Sequence, residues 1–392
     1  QSTPSTPTPT GLPAPDLPAR EHSARVVDHI HAAIDAAGTA IDFARYMELA
    51  LYAPGLGYYS AGSRKLGRHG DFITAPELSP LFGQTLAQQL APLIADGLTE
   101  IMEIGAGSGA LAATILEALE RLERLPTRYQ ILELSADLRE RSRDTLAARV
   151  PHLLERVVWL NQLPPAFEGI VIGNEVLDAM PAHVFAVTFD GIRERAVAWD
   201  AANQGFAWTE RPAPEALIER VATLGLAAPY VSEIGFAAEG FMRSLATMLR
   251  RGVAIFVDYG FPAREFFHPD RATGTLMCHY RHRAHANPFL WPGLQDITTH
   301  VDFSAIERAA TTAGLHLAGY TSQAGFLINC GLTDLLARTP AADVTRYLPL
   351  TNAVQRLTSP AEMGELFKAI AFTRGYNVPL FGFSRGDRSG AL

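Results

Sequence analysis

The segment Glu103-Ile104-Gly105-Ala106-Gly107-Ser108-Gly109 constrains this chain more than any other. A short apolar run, Glu100–Ile104, precedes the glycines, and an apolar-periodic stretch, Leu111–Leu125, follows them. The pattern reads as strand, glycine turn, helix. Glycines at alternate positions let the backbone turn sharply and approach a ligand where any Cβ would collide. In an open α/β sheet such a ligand lies past the carboxyl ends of the strands. By itself the pattern leaves two cofactor classes open, because with Ala110 it also satisfies the dinucleotide fingerprint G-x-G-x-x-A.

Three neighbours separate the classes. Glu103 stands two residues before Gly105, at the strand end, where an acid is expected to face the ligand. A pyrophosphate would be repelled there, whereas the cationic methionine end of S-adenosylmethionine would be accepted. A second strand, Tyr129–Leu134, carries Glu133 near its end. A carboxylate in that place accepts from both ribose hydroxyls, each charge-assisted bond being worth ~1.5–3 kcal/mol. A further strand, Ile170–Gly173, runs into the polar cluster Asn174-Glu175-Val176-Leu177-Asp178. The cofactor is therefore expected to be S-adenosyl-L-methionine. Its expected contacts are Glu103, Gly105, Ala106, Gly107, Ser108, Gly109, Glu133, Leu134 and Asn174. Thr74 and the pair Asn161 and Gln162, after the third strand, complete that set. The rival is a nicotinamide oxidoreductase, which would want a Tyr-x-x-x-Lys or a comparable proton donor after the fourth strand, and none stands there.

Strand–helix alternation predicts a parallel, doubly wound α/β sheet with helices on both faces. Residues 1–19 hold six prolines and six Ser/Thr with almost nothing to bury, and read as a disordered tail. Residues 20–79 read as a helical cap and a glycine-rich lid loop, with a break at Gly38-Thr39. Residues 80–182 read as the first part of the core. Residues 183–250 read as a substrate-side insert, with hairpins over 183–210 and mostly helix over 214–250. Residues 251–392 read as the second part of the core.

Composition narrows the function. Net charge is −8, with no dense Lys/Arg run, so a nucleic-acid partner is not expected. Two cysteines, Cys278 and Cys330, cannot build a disulfide framework or a four-ligand zinc site. No apolar run approaches the ~20 residues that span a bilayer, so no membrane insertion is expected and the default location is cytoplasmic. His279, His282 and His285 invite a metal reading, but on a helix their spacing drifts off one face and the interleaved Arg281 and Arg283 repel a cation. No metal is expected.

From Phe43 to about Thr373 the sequence resembles the MidA-like methyltransferases, whose mitochondrial members act in assembly of respiratory complex I. The matching segments are Arg45-Tyr46-Met47-Glu48, Gly57-Tyr58-Tyr59, Gly70-Asp71-Phe72 through Glu77, and Asn174-Glu175 through Asp178. Phe256-Val257-Asp258-Tyr259-Gly260, His300-Val301-Asp302-Phe303 and Met363-Gly364-Glu365-Leu366-Phe367-Lys368 also match. The resemblance implies the class I methyltransferase (Rossmann-like) fold and, in mitochondrial members, dimethylation of an arginine on a complex I subunit. The partner it implies is thus a protein substrate.

Methyl transfer to an arginine needs carboxylates that orient the guanidinium and balance its charge. Glu175 and Asp178, three apart past a strand, are the first candidates, with Asp71 closing from the glycine-rich loop and Asn174 offering its amide. Each has a plainer role: Glu175 as a helix N-terminal acid, Asp71 as a turn residue, Asn174 as a cap. Glu77 reads as a helix-start acid. A non-catalytic assembly factor that keeps the cofactor pocket is the remaining alternative.

Overall fold

The structure is a computed structural model describing residues 11–61 and 74–392, which fall into two compact units. The first groups the described N-terminal residues with 179–237 and 264–300; the second holds 74–178, 238–263 and 301–392.

The second unit is built on seven main strands. They are β1 (Glu100–Ile104), β2 (Arg128–Leu132), β3 (Val157–Leu160), β4 (Phe167–Asn174), β5 (Leu249–Phe261), β6 (His316–Ser322) and β7 (Phe367–Arg374). Their order across the sheet is β6-β7-β5-β4-β1-β2-β3. β1 to β5 run parallel, and β7 is antiparallel to both its neighbours. The central strands are apolar without alternation, as strands covered on both faces must be: Ile170, Val171 and Ile172 in β4, and Val253 to Val257 in β5, are all buried. Helices Pro80–Ala95 and Ala110–Arg121 contribute Leu86, Leu90, Ile115 and Leu116 to the same core. Ser79 and Ser135 cap two of the helices, their hydroxyls accepting from Leu81 N–H and Leu138 N–H.

The chain moves outward from β1 through β2 to β3, then returns to place β4 on the other side of β1. The strand order therefore reverses between β1 and β4, the place where open α/β sheets bind ligands. Register brings the strand ends level: Ile104 lies opposite Leu132 and Gly173, and Asn174 opposite Val257.

The first unit carries a five-stranded antiparallel sheet from Ala40–Asp42, His183–Thr188, Gly191–Asp200, Gly205–Pro212 and Tyr230–Ile234. Helices Leu17–Ala37 and Phe43–Tyr52 pack their apolar positions, Val26, Ile30, Ile34, Phe43, Tyr46 and Met47, into one cluster with Val184 and Val197.

Two expectations are corrected, the extent of the tail and the unit to which 264–300 and helix Phe236–Met248 belong. The stretch called tail contains a helix start: Asp16 accepts from Ala19 N–H, and Pro18 fits the first turn, where no N–H is needed. Helices Glu215–Ala222 and Phe236–Met248 fill most of 214–250, as expected, with the strand Tyr230–Ile234 between them paired to His183–Thr188. Residues 264–300, assigned above to the core, group with the first unit instead, and helix Phe236–Met248, assigned to the insert, lies mostly in the second. The histidines at 279, 282 and 285 lie on a hairpin, Met277–Tyr280 paired with Arg283–His285. Among the described residues no group of three or more His, Cys, Asp or Glu is placed to hold a metal, and no helix is long and apolar enough to cross a membrane.

Candidate functional site

The candidate site lies in the second unit, at the carboxyl ends of β1, β2, β4 and β5. Gly105 continues the β1 ladder, its N–H donating to Leu132 O at 2.8 Å. The chain then turns through Gly105, Gly107 and Gly109 with φ of +66°, +54° and +78°. These left-handed values favour glycine at all three positions. Gly109 also packs closely: a Cβ there would lie 2.9 Å from Cα of Ser142. Ala106 is buried beside it.

Glu133 stands one residue past β2 and turns back toward the loop. Its Oε2 accepts from Gly107 N–H at 3.2 Å and its Oε1 from Ser135 N–H at 3.0 Å. Burial raises its pKa above the usual carboxylate range, against the pull of the Ser135 and Gly107 N–H groups and the positive charge of Arg139. A carboxylate has about four lone-pair sites, so acceptor capacity remains for ribose hydroxyls. The next residue, Leu134, is 70% exposed, an apolar side chain bared at the strand end. A flat apolar ring would find a partner there.

Glu103, expected to face the ligand, has a partner on the adjacent strand. It is 2% exposed, and its Oε2 accepts from the Tyr129 hydroxyl at 2.6 Å. Burial lifts its pKa to about 7, with the Tyr129 hydrogen bond opposing the rise and the Glu133 charge adding to it.

At the end of β4, Asn174 Nδ2 donates to Glu175 Oε1 at 3.1 Å, and Ala75 N–H reaches the same oxygen at 3.5 Å. Asn174 Oδ1 is buried and has no hydrogen-bond partner among the described residues. A buried acceptor of that kind is costly unless a donor meets it, and an ammonium or guanidinium would serve. Glu175 adopts φ +53°, rare for a residue with a Cβ. Asp178, also expected here, is buried.

The remaining expected residues are more dispersed. Ser108 donates to Glu77 Oε1, tying the glycine loop to the short helix Ala75–Leu78. Thr74 is the N-cap residue of that helix, without a side-chain cap bond. Asn161 and Gln162 are exposed after β3, and Asn161 Oδ1 accepts from Arg139. Asp71 lies outside the described residues. Sequence reasoning placed Asp258-Tyr259-Gly260 at the ligand edge of the sheet but gave Asp258 no role; its carboxylate accepts from the Val176 and Leu177 N–H groups. Sequence reasoning also missed Tyr129, whose partnership with Glu103 only the β1–β2 pairing reveals.

The glycine turn, the buried Glu133 carboxylate, the bared Leu134 and the unmet Asn174 Oδ1 together fit a nucleoside carrying a cationic amino-acid tail. Comparison with known proteins agrees. Residues 81–321 match the family described as "Putative S-adenosyl-L-methionine-dependent methyltransferase". The chain is 52% identical to a methyl transferase candidate from Burkholderia thailandensis whose crystal structure contains S-adenosyl-homocysteine, with a TM-score of 0.94 over 97% of this chain and all of that one. It is 28% identical to the mitochondrial protein arginine methyltransferase NDUFAF7 of Danio rerio, over 88% of this chain and 85% of that protein. Its human counterpart is 29% identical over 84% and 79% respectively.

Proposed function

The chain belongs to the S-adenosyl-L-methionine-dependent methyltransferase family matched by residues 81–321, and on that premise we propose that it methylates an arginine side chain of a protein substrate. The observation that carries this reading is the acid-rich end of β4. There Glu175, with Asn174 bonded to it, stands on the same sheet edge as the cofactor loop, with Asp178 three residues on. The mitochondrial relatives that carry the name arginine methyltransferase support the same substrate class.

When bound, S-adenosylmethionine supplies an electrophilic methyl group. The protein's part is mostly placement, because in-line transfer depends on holding the nucleophile at close approach. A free guanidinium stays protonated, with a pKa above about 12. Glu175 would orient it through paired N–H···O bonds. Asn174 Oδ1 would accept a further N–H. As the nitrogen–carbon bond forms, the carbon–sulfur bond breaks, and one N–H proton leaves for a carboxylate or water.

The test incubates the purified protein with S-adenosylmethionine and candidate substrates, respiratory complex I subunits among the first, and maps modified residues by mass spectrometry. Methylarginine formed by the native protein and lost in Glu175→Gln supports the reading. Methyl groups found only on another residue type would overturn the arginine assignment while keeping the enzyme class.

A further inference from the structure

Glu175 holds a left-handed backbone with no glycine to ease it. The bonds around it explain how. Glu175 N–H donates to Val257 O at 2.9 Å, an extension of the β4–β5 pairing. The next two N–H groups, of Val176 and Leu177, both donate to Oδ2 of Asp258, at 3.0 and 2.8 Å. Oδ1 of the same carboxylate takes Tyr259 N–H at 2.9 Å. Asp258 is 1% exposed. A buried carboxyl group on β5 thus accepts three main-chain N–H bonds, two of them from the turn that carries Glu175.

Burying an acid is costly, and here burial lifts its pKa to about 7, with the Leu177 N–H opposing the rise and the Glu175 charge adding to it. Two acids kept close at one sheet edge are more than a turn needs; a neutral side chain can anchor a turn without that repulsion. We propose that Asp258 is a positioning residue: by gripping the 176–177 amides it keeps residue 175 left-handed, and so fixes where Glu175 and Asn174 present their side chains. This rests on the reading of Glu175 as the acid that orients the substrate.

The experiment is a double-mutant cycle on the full chain with Asp258→Asn, Glu175→Gln and the pair, measuring kcat, KM and S-adenosylhomocysteine affinity. If Asp258 acts through Glu175, Asp258→Asn lowers kcat at least tenfold and leaves S-adenosylhomocysteine affinity within about threefold. In the Glu175→Gln background it then has no further effect on kcat. Amide exchange at Val176 and Leu177 should quicken in Asp258→Asn, and this readout holds even where activity is too weak to measure. A folded Asp258→Asn protein with native kcat, or equal and multiplicative losses in both backgrounds, overturns the proposal. A Glu175→Gln protein with native kcat removes the orienting role of Glu175 instead, and with it the route by which Asp258 was to act.

Discussion

The Tyr129 hydroxyl donates to Oε2 of Glu103 at 2.6 Å, between two side chains that are almost wholly buried on neighbouring parallel strands. Because the carboxyl is desolvated, its pKa rises from 4.5 to about 7 in the folded protein. A folded-state pKa above the unfolded one means that the native state binds the proton more tightly. Its stabilisation is complete below about pH 4.5 and is lost as pH climbs toward and through 7. The loss amounts to roughly 3 kcal/mol at about 1.4 kcal/mol per pH unit. Asp258, raised likewise to about 7, acts in the same direction. Scanning calorimetry should therefore show the melting temperature falling from pH 5 to 8, and Glu103→Gln should flatten part of that slope. A variant as steep as the native protein would refute the assignment.

Glu133 invites a different test, because its carboxylate holds the Gly107 and Ser135 N–H groups and we propose that it holds the ribose as well. Glu133→Gln keeps the shape and an acceptor for one of the Gly107 and Ser135 N–H groups, but loses the charge. With each charge-assisted ribose bond worth ~1.5–3 kcal/mol, the dissociation constant for S-adenosylhomocysteine should rise tenfold or more in a calorimetric titration. The binding of NAD should stay undetectable in both proteins. An unchanged constant would remove Glu133 from the cofactor site.

Much of this was legible in the sequence, and what was not has a physical cause. The β1 bounds, the glycine turn and the β3 bounds follow from short apolar runs stopped by turn residues, a local signal. The reversal of strand order between β1 and β4 is not local; it follows from which strands pair. Glu103 was expected to face the ligand because it stands at a strand end; the partner that holds it, Tyr129, is 26 residues on in the sequence but on the adjacent strand. The role of Asp258 escaped for the same reason, since its partners are the amides of Val176 and Leu177, more than 80 residues earlier. Acids at strand ends are visible in a sequence; their partners are supplied by the sheet.

Asn174 Oδ1 gives a prediction that separates fold from chemistry. Replacing Asn174 by Leu would remove a buried acceptor that has no partner among the described residues, so stability should fall little or even rise. The Nδ2 bond to Glu175 goes as well, which takes one donor from that carboxylate. The expected result is a melting temperature within a few degrees of native and a kcat at least tenfold lower. Loss of both together would make Asn174 a structural residue.

Two glycines with similar backbones should respond very differently to alanine. Gly97 has φ +92° and Gly109 has φ +78°, so each replacement carries the left-handed penalty, ~1–2 kcal/mol. At Gly97 nothing lies within 4 Å of the added Cβ, and the penalty is the whole effect. At Gly109 the added carbon meets Cα and Cβ of Ser142 at 2.9 Å. Ser142 is fixed within helix Ala136–Arg149, its hydroxyl donating to Arg139 O at 2.9 Å and accepting from Trp159 Nε1 at 2.9 Å. Helix backbone cannot step aside as a flexible side chain would, so overpacking adds ~1–3 kcal/mol. Gly109→Ala should therefore melt several degrees below Gly97→Ala by scanning calorimetry. It should also bind S-adenosylhomocysteine more weakly, because the strain is relieved by moving the loop that we propose cradles it. Equal melting temperatures would mean that the loop and helix yield freely, and that Gly109 is there for its backbone alone.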